Sequence, residues 1–289
     1  RQRQDRKFNT AMVVIIMPEV FTYTFMQRAF LVGNMIALIA PLIGVFLIMK
    51  GLSQIGHTIS HVALAGVALG ILTGIYPVYP AILISVLAAL VIEKIREKIS
   101  DYAELSLSII LAAGMGIATI LISLSDNSIG IMSYLFGSLT LVSELDLMIV
   151  IPMALIIIVL VFLFYSGFFY LSFNEGDARL AGVPVKLLNI LFMVIISTTI
   201  SLSLRIVGGL LIASLISIPV ATALQLARSF KETILYSILA ALLAVDSGLI
   251  AAYYLDLAPG GTIILLSVIY FLLASGVKFL RERKGFNEK

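Results

Sequence analysis

Residues 29–49 read AFLVGNMIALIAPLIGVFLIM, with no charged side chain between Arg28 and Lys50. A helix needs roughly 20 apolar residues to cross the hydrocarbon core of a bilayer, so this stretch predicts a membrane span, placed at Phe30–Met49. Residues 206–227 are uncharged in the same way. Working outward from these two, the whole chain fits lipid as its solvent: of 289 residues, 61% are hydrophobic and 12% charged. That charged fraction is half the roughly 25% of a soluble domain. Mean hydropathy is +1.14.

Further spans are expected at Ile55–Tyr76, at a short Pro80–Ile92 after the Pro77–Pro80 turn, and at Leu105–Leu124, Leu147–Leu171, Leu187–Leu204, Ile206–Ala227, Ile234–Leu255 and Thr262–Leu280. Ile131–Ser143 is apolar but too short to cross, and reads as an interfacial or re-entrant piece. The expected fold is all-α, a polytopic transmembrane helix bundle of about eight to ten spans. Residues 1–28 are expected to form an N-terminal interfacial segment or a start extension, 29–284 the transmembrane domain, and 285–289 a cytoplasmic tail. Basic loops alternate with neutral or acidic ones, and the positive-inside bias makes the loops of Lys94, Arg179, Arg228 and the C-terminal tail cytoplasmic. Nine crossings then start the first span outside, at odds with the basic residues 1–7; a tenth crossing before Arg28 would remove the conflict.

Composition also excludes. A net charge of +3 gives no footprint for nucleic acid, and without cysteine neither a disulfide nor a thiolate metal site can form. With no tryptophan, tyrosines such as Tyr23, Tyr76, Tyr165, Tyr253 and Tyr270 must supply the interfacial aromatics.

Two histidines, His57 and His61, are the chain's only ones. On a helix an i, i+4 pair shares one face, about 6 Å apart along the axis. Two such imidazoles can share a metal ion, relay a proton, or simply hydrogen-bond inside the bundle. Ionisable groups inside a membrane are costly and mark solute paths by default. The spacing is that of HExxH metalloproteases, but Thr58 stands where the Glu must be, which removes proteolysis. Gly51–Thr58 fits GxxxxGK[ST] with His57 in place of the Lys, so a nucleotide site is not expected either.

Three further features invite a reading. Asp246 interrupts an apolar span and faces a cavity or a hydrogen-bonding partner. Pro219 breaks a span as pathway-lining helices often do, although bent packing gives the same pattern. Asn174-Glu175-Gly176-Asp177-Ala178-Arg179-Leu180-Ala181-Gly182-Val183, followed by Pro184, has a short helix with a normal stop at Gly182. It is either a plain loop or a knob that docks into a partner.

Together, Gly56–Gly70, Leu135-Phe136-Gly137-Ser138, Asn174–Pro184, Val207–Ala223 and Tyr254–Thr262 resemble the membrane permease of bacterial ABC importers for zinc or manganese. More distantly, the layout is similar to permeases for vitamin B12 and iron–siderophores. The resemblance implies a type II ABC importer permease in the bacterial cytoplasmic (inner) membrane, not itself an enzyme. It implies two permease copies as a homodimer, cytosolic ABC ATPase subunits and an extracytoplasmic metal-binding protein. Asn174–Val183 would be the ATPase coupling helix, and the acidic loops of Asp126, Glu144 and Asp146 would lie near the docking surface for the binding protein. Metal would pass His57 and His61, with Asp246 and Pro219 as further pathway candidates, and no cofactor would be held permanently. The family carries Asp four residues before the histidine, where this chain has His57. An all-imidazole pair favours zinc, or iron, over manganese, which prefers oxygen ligands. Two other readings stay open at this point: a permease for metal chelates, and a stand-alone proton-coupled carrier.

Overall fold

In the computed structural model the described residues are 21–98, 103–125 and 128–287. The readings placed on residues 1–20 and on Asp126 lie outside them. The elements are α1 (Thr24–Met49), α2 (Ser53–Thr73), α3 (Val78–Lys98), α4 (Ala103–Ser123), α5 (Ser128–Phe136), α6 (Glu144–Leu163), α7 (Tyr165–Phe173), α8 (Glu175–Leu180), α9 (Val185–Ser203), α10 (Ile212–Leu226), α11 (Phe230–Leu255) and α12 (Pro259–Asn287). Eight of these, α1–α4, α6, α9, α11 and α12, are long and apolar enough to cross a bilayer.

Several expected boundaries move, for physical reasons. The third span is not short: α3 continues through Glu93–Lys98, because these are good helix formers and Arg96 closes an i, i+3 pair with Glu93 at 2.9 Å. The expected span Leu147–Leu171 divides at Phe164 into α6 and α7. The span at Ile206–Ala227 is helical only from Ile212. Its 15 residues reach about 22 Å at 1.5 Å per residue, short of a 30 Å core. Pro219 lies inside this helix, which continues across it. The short piece after α4, expected to be interfacial or re-entrant, is the nine-residue α5 followed by non-helical chain. Arg28 is no flank: it lies in the second turn of α1 and its guanidinium pairs with Glu144.

α1, α2 and α9 form the buried centre, while α4, α6, α11 and α12 keep most of their surface outward. α2 packs closely against both α3 and α4, and α1 against α11. Polar glue joins α3 to α9, where Ser85 and Ser201 hydroxyls meet at 2.7 Å and Ser201 Oγ donates to the Ala81 carbonyl at 3.2 Å. Inside a bundle such contacts replace the water that lipid cannot offer. Tyr270 of α12 meets Ser247 of α11, the two hydroxyls 2.9 Å apart.

At one end of the bundle three backbone segments cross. Gly209 N–H donates to the Tyr134 carbonyl (2.8 Å) and Ser138 N–H to the Arg205 carbonyl (3.1 Å), tying the end of α5 to the turn before α10. Gly137 and Gly208 sit at φ +81° and +88°, and a Cβ on Gly208 would lie 2.4 Å from the Leu135 carbonyl oxygen. Gly260 of α12 approaches the same crossing, where a Cβ would lie 1.9 Å from the Val207 carbonyl oxygen. Gly208→Ala is therefore expected to cost at least about 1–3 kcal/mol in backbone strain alone, read as a lowered Tm of the purified protein.

Candidate functional site

His57 and His61 fall in the first turns of α2, near the end that carries Lys50, Arg96 and Glu175. Their rings meet edge to face with centroids 4.7 Å apart. The Ser60 hydroxyl donates to the His57 carbonyl at 2.8 Å, occupying its own polar group locally. His61 is 8% exposed, held within the bundle, whereas His57 is exposed and lines a cavity of about 240 Å³ with Gln54, Thr58, Glu104, Leu107, Ser108 and Leu111. Among the described residues no three His, Cys, Asp or Glu side chains converge on one point. The pair offers two nitrogen donors on one helix face.

Asp246 sits elsewhere. It faces Asn34 of α1 as a hydrogen-bond partner, and one oxygen of each side chain is buried without a partner. Neither it nor Pro219 lines the His57 cavity.

The segment Asn174–Val183 folds as a compact knob. Asn174 caps α8 by accepting from the Gly176 N–H at 2.8 Å. Gly182 leaves it at φ +77°. Ala178 is buried and Leu180 is 90% exposed, an apolar side chain offered outward on a short rigid turn. Glu175 anchors the knob to three other helices. Its Oε1 accepts from Lys50 Nζ at 3.0 Å, just past α1, from Arg96 Nη2 at 2.9 Å on α3, and from Asn189 Nδ2 at 3.2 Å on α9. Arg96 also grips both oxygens of Glu93, each at 2.9 Å, while Lys50 donates to Asn189 Oδ1. Two cations and two carboxylates thus close a neutral cluster. Burial alone would raise Glu175, but the Lys50 ammonium and Arg96 guanidinium hold its pKa at about 2. Burial lowers Lys50 from its ordinary value despite Glu175 beside it.

The sequence did not single out Lys50, Glu93, Arg96 or Asn189. The available signal was weak: each is a polar residue at the edge of an apolar run, and only the fold shows that they share one partner.

The opposite end carries a second polar cluster. Asp146, 1% exposed, accepts from the Tyr76 hydroxyl at 2.5 Å and lies 3.5 Å from Arg205, whose side chain also donates to the Leu141 carbonyl and covers the Tyr134 ring. Ser143 and Asp146 form a reciprocal capping box at the start of α6. Desolvation and the Asp146 hydrogen bond push the Tyr76 hydroxyl well above its usual range. Asp146 is consequently spoken for inside the protein and is not available to an external partner; Glu144, paired with Arg28, keeps its side chain 70% exposed.

Eight helices long and apolar enough to cross a bilayer define a polytopic membrane protein. Residues 22–278 match the ABC 3 transport family, and the chain belongs to it. Among relatives, it is 38% identical over 251 residues to the "probable metal transport system membrane protein" of Treponema pallidum (87% of this chain, 94% of that one). It is 28% identical to the "high-affinity zinc uptake system membrane protein ZnuB" of Haemophilus influenzae (88% and 97%) and 29% to the "manganese import system permease protein ScaB" of Streptococcus gordonii (87% and 91%). The structure of "PsaBC from Streptococcus pneumoniae in complex with Fab" superposes with a TM-score of 0.82 at 28% identity, over 91% of this chain and 95% of that one.

Proposed function

We propose that this chain is the membrane permease of an ATP-driven divalent-metal importer, and that the metal passes His57 and His61. The observation that carries the reading is the imidazole pair on one of the most buried helices of a metal-transport family member. Zinc fits two nitrogen donors better than manganese does, while relatives named for either metal leave both as cargo.

The end carrying Lys50, Arg96, Arg179 and Lys186 faces the cytoplasm by the positive-inside rule, in a bacterial inner membrane. There Glu175–Leu180 is the coupling helix, and Leu180 is the apolar contact for a separate ATPase subunit. Gly51–Thr58 runs from a turn into α2, with His57 where a phosphate-binding Lys would stand, which supports ATP hydrolysis on that partner. A second copy of the chain and an external metal-binding protein complete the assembly. The exposed Glu144, rather than Asp146, is the acidic side chain left for the external partner.

Purified permease with its ATPase in proteoliposomes tests this. Zn²⁺ or Mn²⁺ accumulation should require ATP and the ATPase. Equal accumulation without the ATPase identifies a proton-coupled carrier instead, and transport of a metal chelate but not the free ion identifies a chelate permease.

A further inference from the structure

The cavity beside His57 has a built shape. α2 and α4 both start at the basic end, run in the same direction and pack directly against each other. They are pinched together higher up, where Gly114 leaves so little room that a Cβ would lie 2.6 Å from Val62 Cγ2. Below that contact they separate. Gln54, His57 and Thr58 line one wall, and Glu104, Leu107, Ser108 and Leu111 the other. Each set follows helical spacing along one face, so two faces, in step with one another, enclose the cavity. His61 follows His57 by one turn above, and Glu104 stands at the mouth, level with Gln54.

The chemistry of that wall is specific. Two imidazoles bind a divalent ion as neutral ligands and leave its full charge uncompensated in a low-dielectric bundle, where unpaired charge is costly. Among the described residues Glu104 is the only carboxylate lining the cavity. Because the three side chains do not converge on one point, Glu104 does not close a three-ligand cage with the histidines; it is a separate station beyond them. Resting on the histidine reading above, we propose that Glu104 receives the divalent cation from His57 across this cavity and carries it to the cytoplasmic mouth. The step exchanges a nitrogen donor for an oxygen donor, and no bond within the protein is made or broken.

A blander role is available to Glu104, since a carboxylate in the first turn of α4 favours the helix dipole. That role affects stability, not metal handling. Uptake of Mn²⁺ and of Zn²⁺ by the reconstituted permease–ATPase complex separates the two, with Glu104→Gln, Ser108→Leu and His61→Ala run in parallel. Glu104→Gln should slow uptake of both ions about tenfold, with manganese the more affected because it favours oxygen donors. Ser108→Leu, which fills the cavity with apolar bulk while keeping the carboxylate, should slow both as well, and serves wherever Glu104→Gln proves unstable. Wild-type KM and rate for both ions in Glu104→Gln, or in Ser108→Leu where that variant stands alone, overturn the proposal. A dead His61→Ala beside a normal Glu104→Gln removes the relay but keeps the histidine site; normal uptake in both removes the site itself.

Discussion

Glu175→Lys should abolish metal uptake, and Glu175→Gln should reduce it severely, although Glu175 does not line the His57 cavity. The Lys50 side chain is only 6% exposed and depends on Glu175 for its contact carboxylate. Removing one partner of a buried pair costs more than removing both, since the remaining charge stays desolvated. For Glu175→Gln the cost is about 1–3 kcal/mol, below the range for a fully buried pair because Glu175 keeps 31% of its side chain exposed. Lys50→Met should be milder, as Glu175 then retains Arg96 at 2.9 Å. Charge reversal at 175 places a third cation beside Lys50 and Arg96 and should expel the knob from its seat. The decisive measurement is uptake per ATP hydrolysed. If α8 transmits force through Glu175 to α1, α3 and α9, the ratio falls more than ATP turnover does. A ratio unchanged in Glu175→Gln would reduce the cluster to a plain stabilising contact.

The same cluster gives a pH expectation. The folded pKa of Glu175 is depressed to about 2, below the ordinary value of about 4.3. Its contribution is therefore present in full above the ordinary value and is lost only as pH falls through about 2. Between pH 5 and 8 the coupling ratio should not change on its account.

How much of this was legible in the sequence depends on the range of the interaction. Spans were readable because lipid punishes charge locally, so the uncharged run at 29–49 is a sufficient signal. The division at Phe164 was not: neither Pro nor Gly marks it, and the packing of Gly167 onto Leu188, where a Cβ would lie 2.5 Å from Cδ1, is a tertiary fact. The imidazole pair was legible because i, i+4 spacing on a helix is itself geometry. Glu104 was not, because it comes opposite His57 only when α2 and α4 pack against each other, a long-range contact that no local spacing shows. The resemblance segments around Gly137, Val207–Ala223 and Gly260 were readable one by one. The physical reason for three of them, the backbone crossing of Gly137, Gly208 and Gly260, emerges only in three dimensions. Asp146 shows the opposite error: an acid in a predicted external loop reads as surface charge, yet it caps α6 and binds Tyr76.

His61→Ala should lower metal uptake at least about tenfold, since loss of even an outer-shell partner of a metal ligand costs 10–100-fold in affinity or activity. His57→Ala should lower it less. The asymmetry follows from burial. His61 is enclosed by the bundle at 8% exposure, where an ion has few other donors, whereas His57 opens on a cavity that already offers Gln54, Thr58, Glu104 and Ser108. His57→Asp provides the sharper test. A carboxylate at this position adds an oxygen donor and a negative charge directly beside His61, so manganese should gain on zinc in competition for uptake. If His57→Asp left the Mn²⁺:Zn²⁺ preference unchanged while His61→Ala abolished transport, His57 would be a cavity wall and His61 the sole imidazole station. A preference that shifts towards manganese assigns His57 as the residue that sets the cargo, and makes Glu104 the oxygen donor that keeps an all-imidazole entry from excluding the harder ion.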